Sequence, residues 1–344
     1  MSDGRFLLVK GIAGLGNRIS SALSGICYAR LSGRQLFIDW SDPDYSPDGS
    51  NIFHRLFQCS SFSASDIFPQ TDSVYPAIWR GRLHEPARSM GSRLGLTTDG
   101  IRRNLSIDVT RIDYAEDLLV LVAYSEQVRH MRPHFQGRFA ELAKISPTEI
   151  LKDMLRRDLI LHPQLQERVD QFKRRHFTGP MVGVHIRYSD YRSAIIAIIR
   201  RLNRLLRRHP DLSIFVCSDS AEAIGMFRQV YPRIVTMEHW FAQPGVSLHK
   251  NVKCPDRIQA AMDALTDLYL LAQCDYLIFD WTSSFGRVAD LVSRAPEDNI
   301  IRIRHGEAKE LSKTQQMVTD LMRKVGFFSW GFRVLPRVVP IRWL

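Results

Sequence analysis

The chain has 344 residues, of which 45% are hydrophobic and 24% charged, and its formal net charge is +11. This length exceeds what one hydrophobic core usually serves, and the composition excludes a repeat or low-complexity protein. The positive charge indicates an anionic partner, for which nucleic acid, an acidic membrane surface and a phosphorylated substrate are equally suitable.

The cysteines are scattered, odd in number and without CxxC spacing, which predicts reduced core residues and not a disulfide framework or a zinc site. They are Cys27, Cys59, Cys217, Cys254 and Cys274. The N-terminal sequence has no signal-peptide core, and no apolar run reaches membrane-spanning length. We therefore expect a cytoplasmic protein.

The first 40 residues predict a βαβ unit, with a strand at 6–9, a helix at 17–31 that ends at Gly33, and a strand at 35–38. Between the first strand and the helix lies Gly11-Ile12-Ala13-Gly14-Leu15-Gly16-Asn17-Arg18. Such a glycine loop places N–H groups at a helix N-terminus, where they suit an anionic ligand. A tight packing turn explains the glycines equally well.

Further elements of the first half are less distinct. Residues 41–51 predict a loop, and 52–111 carry no assignable chemistry. Residues 118–124 predict a strand, 125–142 a helix and 147–172 a long amphipathic helix. We expect the domain junction at 173–180, before Met181.

The second half alternates strands with helices, which predicts a doubly wound, mainly parallel sheet. Strands are expected at 181–187, 212–217, 234–237, 276–279 and 299–303. Helices are expected at 193–208, 219–230, from 256, from 284 and at 307–324.

The most informative stretch is Met181-Val182-Gly183-Val184-His185-Ile186-Arg187-Tyr188-Ser189-Asp190, a buried strand that becomes polar at its end. In open α/β sheets, ligands bind beyond the carboxyl ends of strands, and Arg187 offers a planar fork of donors suited to phosphate. An ion pair closing the strand end is the equal alternative.

Two other strand ends carry polar clusters, Ser218-Asp219-Ser220 and Thr282-Ser283-Ser284. Because parallel strands end along one edge of the sheet, the three clusters are predicted to meet around one ligand. Taken singly, Asp219 and Ser283 are expected to be helix caps. Asp267 is expected to be a solvated acid, with recognition of a nucleobase or ribose as the alternative.

Five segments together resemble the α-fucosyltransferases of the GT-B fold, such as protein O-fucosyltransferases and the rhizobial nodulation fucosyltransferase. They are Gly14-Leu15-Gly16-Asn17-Arg18, His185-Ile186-Arg187-x-x-Asp190, Ser218-Asp219-Ser220, Asp267-Leu268-Tyr269-Leu270-Leu271-Ala272 and Phe279-Asp280-Trp281-Thr282-Ser283-Ser284-Phe285. The resemblance implies two Rossmann-like domains with mainly parallel sheets facing a central cleft. Residues 1–175 would form the acceptor side, 176–325 the nucleotide-sugar domain, and 326–344 a basic aromatic tail.

The resemblance also implies residue roles. Arg187 would contact the β-phosphate of GDP-fucose with His185 beside it, and Asp267 would recognise the guanosine. Ser283, Ser284 and Phe285 would line the diphosphate and base. Asp219, Gly16 and Asn17 complete the predicted donor-binding set. Arg187 and Asp190 are the predicted catalytic residues, and no metal or cofactor is expected.

Two departures from the family pattern bear on the mechanism. Tyr188-Ser189 stands where relatives often have a second arginine, and no glutamate follows Asp190 closely. The general base therefore remains open among Asp190, Asp42 and Asp44.

The predicted function is inverting, metal-independent transfer of L-fucose from GDP-β-L-fucose to a glycan hydroxyl, giving an α-linkage. The alternatives are a GT-B transferase for another GDP-sugar and a basic nucleic-acid-binding protein. The latter is not expected, because the basic residues are spread and no recognition module is evident. The aromatic and basic tail suits peripheral contact with the inner membrane face, or packing onto the first domain.

Overall fold

The computed structural model describes residues 4–58, 67–189, 193–231, 233–241, 246 and 253–304. The chain divides into two compact units. One comprises Met1–Glu167 with Pro255–Leu265, and the other Arg168–Cys254 with Thr266–Leu344. Each unit contains its own parallel sheet, which confirms the predicted α/β class with two Rossmann-like, mainly parallel sheets.

The first unit is built around a parallel four-stranded sheet of order β2-β1-β5-β4, beside a small antiparallel β3-β6 pair. Its elements are β1 (Phe6–Lys10), α1 (Leu15–Ser32), β2 (Gln35–Asp39), α2 (Phe53–Leu56), β3 (Phe57–Gln58), β4 (Val74–Tyr75), α3 (Ala87–Arg93), α4 (Thr98–Asn104), β5 (Leu118–Val122), α5 (Pro147–Arg157) and β6 (Ile160–Leu161). The predicted βαβ unit is confirmed as β1-α1-β2. Its helix ends at Gly33, whose φ of 69° is left-handed, a conformation that costs glycine little.

Two helix predictions in this unit are wrong. The expected helix at 147–172 is two helices, because β6 interrupts the pattern by pairing with β3 and Pro163 then starts α6 (Pro163–His176). The expected helix at 125–142 is two 3₁₀ segments, Val128–His134 and Gly137–Lys144. Pro133 has no N–H to donate, and Gly137 has a φ of 55°, so a continuous α-helix does not form there.

The second unit contains a parallel five-stranded sheet of order β11-β10-β7-β8-β9. Its elements are β7 (Met181–Ile186), α7 (Ile195–Arg208), β8 (Ser213–Ser218), α8 (Ala221–Val230), β9 (Ile234–Val235), α9 (Arg257–Ala272), β10 (Tyr276–Asp280), α10 (Ser284–Val292) and β11 (Ile300–Ile303). The first part of α9 belongs to the first unit and the second part to this one.

Apolar packing fixes β7 at the centre of this sheet. On one face, Val182, Val184 and Ile186 join Ile198 and Leu202 of α7 in a buried cluster. On the other face, a Cβ at Gly183 would lie 3.0 Å from Sγ of Cys274 and 3.1 Å from Cδ2 of Leu271 in α9, closer than ordinary contact, so glycine suits the close packing of this helix. Since both faces of β7 are covered, its functional groups lie at its carboxyl end.

Some predictions fall outside the described residues, namely those for Asp190, the helix at 307–324 and the tail at 326–344. Of the five cysteines, the four that are described are buried free thiols, as predicted, and Cys59 lies outside the described residues. Among the described helices, none combines the length and hydropathy needed to cross a membrane.

Candidate functional site

The candidate site lies at the carboxyl edge of the second unit's sheet. Strand β7 pairs with β8 on one side and β10 on the other, all in parallel. The sheet order therefore brings the polar residues after β7, β8 and β10 to one edge, as the sequence predicted. Ligands of open α/β sheets bind at this edge.

His185 lies near the end of β7 and is 5% exposed. Its ring stacks on that of Phe285, with centroids 5.0 Å apart and an interplanar angle of 22°. Burial and the nearby Arg187 charge lower its pKa from 6.5 to about 4, against the smaller opposing effect of Asp280. The imidazole is thus neutral at pH 7, and its Nδ1 atom has no hydrogen-bond partner within the described part of the chain.

The loop that follows β7 is held by Asp219. One carboxylate oxygen accepts from the backbone N–H of Tyr188 at 2.7 Å and of Ser189 at 3.1 Å, and the other accepts from the Ser189 hydroxyl at 2.5 Å. The predicted cap role of Asp219 is wrong, because the neighbouring Ser220 caps α8 instead. Asp219 thereby fixes Tyr188 and Ser189, the two residues after Arg187.

Arg187 is anchored through its backbone. Its N–H donates to the Ser193 hydroxyl at 3.0 Å, and its carbonyl accepts from the Ser193 N–H at 2.8 Å. Arg187 is the first residue after β7, so its side chain starts at the carboxyl end of that strand. The predicted partner Asp190 falls outside the described residues.

The start of α10 provides the third side of the site. Ser283 is its N-cap, as predicted, and its hydroxyl accepts from the Gly286 N–H at 3.3 Å. Just before it, Asp280 accepts from the N–H and hydroxyl of Thr282 at 2.9 and 2.7 Å. Ser284 and Phe285 therefore lie in the first turn, where a helix has unsatisfied N–H groups and a positive partial charge.

Asp267 is not a solvated acid, so that prediction is wrong. It is 3% exposed, and its carboxylate lies 3.1 Å from Nε2 of His239. Residues on every side of this part of α9 are buried, which leaves the helix no solvated face. Burial and the Asp267 carboxylate also raise the pKa of the Cys217 thiol at the end of β8. Asp267 is therefore a buried acid of α9 beside the end of β8, which makes it a candidate recognition residue.

The remaining predicted residues belong to the first unit. Gly16 is buried in the first turn of α1, and the side-chain amide of Asn17 donates to the Tyr124 carbonyl at 2.5 Å. The two candidate bases are in ion pairs: Asp42 lies 2.5 Å from Arg18, and Asp44 holds Arg88 at 2.5 and 2.6 Å. Asp42 is also 5% exposed, so it is poorly placed to take a proton from an acceptor.

Three residues near the site had no predicted role. His239 partners Asp267, and Asp280 orders the turn into α10. Trp281 is 45% exposed beside that turn, with Arg302 5.9 Å from its ring centre. The tryptophan directly after a predicted strand could have been recognised in the sequence as a candidate site residue. The His239–Asp267 contact could not, because it joins distant parts of the chain. Among the described residues, no group of three or more His, Cys, Asp or Glu side chains is placed to hold a metal ion.

Comparisons with known proteins bear on this geometry. The family model for nodulation protein Z (NodZ) matches residues 146–302, which include every predicted site residue of the second unit. Nodulation protein Z of Azorhizobium caulinodans is 26% identical over 322 residues, covering 84% of this chain and 90% of that protein. The predicted resemblance to the GT-B fucosyltransferases is confirmed.

Solved structures of such fucosyltransferases share the fold. NodZ alpha-1,6-fucosyltransferase soaked with GDP-fucose is 22% identical, with a TM-score of 0.57 over 84% of this chain and 93% of that chain. POFUT1 in complex with GDP-fucose is 12% identical, with a TM-score of 0.53 over 88% of this chain and 98% of that chain.

Proposed function

We propose that the protein is an inverting glycosyltransferase that moves L-fucose from GDP-β-L-fucose to a glycan hydroxyl, forming an α-linkage without a metal ion. The observation that carries this proposal is the edge of the second unit's sheet, where Arg187, neutral His185 and the start of α10 lie together. The similar structures of NodZ soaked with GDP-fucose and of POFUT1 in complex with GDP-fucose support this choice of donor.

Departure of GDP is the step that these residues assist. The bond from fucose to the β-phosphate breaks as an acceptor oxygen attacks from the opposite face, and negative charge grows on the diphosphate. Arg187 can engage two phosphate oxygens through its planar fork. The first turn of α10, capped by Ser283, adds N–H donors that need no reorganisation during the reaction.

The nucleoside is assigned to the buried part of the site. Asp267 would accept hydrogen bonds from N1–H and the amino group of guanine, and His239 holds its carboxylate in place. The stacked pair of His185 and Phe285 gives a flat, mostly apolar wall. Nδ1 of His185, which has no hydrogen-bond partner among the described residues, would face a hydroxyl or phosphate of the donor.

The attacking hydroxyl of the acceptor must also lose its proton to a base. Asp190 is our proposed base because it follows Arg187 by three positions in the sequence, directly after Tyr188 and Ser189, whose N–H groups donate to Asp219. The residues assigned here recognise phosphate and guanosine better than the sugar ring. Another GDP-sugar is therefore the alternative donor.

The test is a panel of nucleotide sugars assayed with the wild type and with Arg187→Lys. Lysine keeps the charge but not the fork, so turnover of GDP-fucose should fall by roughly 10²–10³ with an unchanged melting temperature. Arg208→Lys, at an exposed position of α7, is the matched control. Near-normal turnover by Arg187→Lys would reject the bidentate role, and preference for another GDP-sugar would reject the donor.

A further inference from the structure

The first unit contains a cavity of about 450 Å³ that none of the roles assigned above uses. Its floor is the carboxyl end of β5, from Leu121 through Val122 to Ala123. This is the edge of a parallel sheet where ligands are held. The volume lies within the range of about 300–1,000 Å³ typical of small-molecule sites.

The walls of this cavity are fixed by hydrogen bonds to β5. The Ser106 hydroxyl accepts from the Val122 N–H at 3.0 Å, and the Ile107 N–H donates to the Val120 carbonyl at 2.9 Å. Another lining residue, Tyr75, packs on Tyr114, with ring centroids 4.9 Å apart. The cavity is therefore preformed, with an aromatic wall.

Positive charge dominates its rim. Arg102 and Arg103 reach it from the end of α4, and His130 reaches it from a 3₁₀ turn. The acidic lining residue, Asp108, uses its carboxylate to accept from the N–H and hydroxyl of Thr110 at 2.9 and 2.8 Å.

The arginines have little competition within the protein. Arg102 lies 3.4 Å from Asp99, but both side chains are more than half exposed. Such exposed pairs contribute little and are readily exchanged for another anion. The rim therefore suits a ligand with its own negative charge.

We propose that this cavity binds the acceptor glycan and recognises an anionic substituent on it, a carboxylate or a sulfate. The inference rests on the proposed function for the identity of the ligand as acceptor. The two guanidinium groups would bind the anionic oxygens, and Tyr75 would pack against an adjacent sugar ring. The cavity thereby selects acidic over neutral acceptors.

The test uses saccharides in charged and neutralised pairs. These are tetragalacturonate with its methyl ester, and sulfated with unsulfated cellotetraose. Direct binding is measured by titration calorimetry with the wild type, with Arg102→Gln/Arg103→Gln, and with Arg80→Gln as an exposed control in the same unit. Wild type and control should bind a charged saccharide at least about tenfold more tightly than its neutral form, and the double variant should lose that preference.

Several results would overturn the inference. These are equal binding of both members of each pair by the wild type, loss of the preference in Arg80→Gln, and equally tight binding of inorganic sulfate alone. Which pair shows the preference distinguishes a carboxylate from a sulfate.

GDP-fucose turnover is measured separately with the same proteins. Absence of turnover with every acceptor would refute the proposed function, while charge-selective binding lost in the double variant would still support an acidic-saccharide site. Turnover with an unchanged acceptor KM in the double variant would refute the acceptor role of the cavity.

Discussion

The neutral state of His185 predicts a specific dependence of stability on pH. Its pKa is about 4 in the folded protein, against about 6.5 when exposed. Between pH 4 and pH 6.5, His185 is protonated in the unfolded chain but neutral in the folded protein. The stability that this group contributes is therefore complete above pH 6.5 and decreases as the pH is lowered towards 4. From pH 7 to pH 4.5, this one group should cost roughly 2.5 kcal/mol of the free energy of unfolding.

The assay is urea unfolding of the wild type and His185→Gln at both pH values. The variant has no imidazole to protonate, so it should lose about 2.5 kcal/mol less than the wild type over this interval. Other titrating groups act equally on both proteins and cancel in the comparison. His176→Gln, at an exposed position of α6, should behave as the wild type. Parallel pH dependence of wild type and His185→Gln would refute the argument.

Four other predictions test the site and its support. Asp219→Ala removes three hydrogen bonds to the residues after β7 and should weaken GDP binding about tenfold or more. The control Ser220→Ala loses only the cap of α8 and should cost about 1 kcal/mol of stability. GDP binding is measured by calorimetric titration and stability by thermal melting, and equal effects of the two variants would contradict the prediction. Gly286→Ala brings a methyl group within 2.5 Å of a ring carbon of Phe279 and should lower the stability of the protein by about 1–3 kcal/mol. At Gly225 the added methyl group would have no atom within 4 Å, so Gly225→Ala should not lower the stability. Equal melting temperatures of the two variants would contradict the prediction. Asp267→Asn should reduce the preference for GDP over ADP, a role ruled out if the wild type binds both equally. Turnover should persist in excess EDTA, and its loss with recovery on adding manganese or magnesium would contradict a metal-free reaction.

Sequence reasoning worked where local pattern decides the structure. The apolar run from Met181 that becomes polar at His185 defined both a central strand and the edge that carries the site. It failed where distant pairing decides. The pairing of β3 with β6 broke a helix that the amphipathic pattern made continuous.

The burial of Asp267 is a second feature that local sequence pattern did not predict. In the sequence of α9, apolar residues recur at 3-4-3-4 spacing and predict one apolar face, which leaves Asp267 on the opposite side. These residues are Ile258, Ala261, Leu265, Leu268 and Ala272. In the fold that opposite side is also covered, and His239 approaches from a segment 28 positions earlier in the chain. Nothing in the sequence indicates this contact, nor that Pro255–Leu265 belongs with the first unit.

Burial of His185 also bears on the charge available for the reaction. A protonated ring beside Arg187 would repel the guanidinium, and both groups would need counter-charges before a donor arrives. Because burial keeps the ring neutral, the carboxyl end of β7 presents a polar neutral group, His185, close to the cation of Arg187, which follows the strand. Arg187 then attracts phosphate without a second positive charge beside it, while Nδ1 of His185 can accept or donate a single hydrogen bond. Replacing His185 with lysine should therefore weaken GDP binding despite the added positive charge, since the buried ammonium would disrupt the stack on Phe285. Tighter GDP binding by His185→Lys, measured by calorimetric titration, would show that total charge and not the neutral stacked ring governs the site.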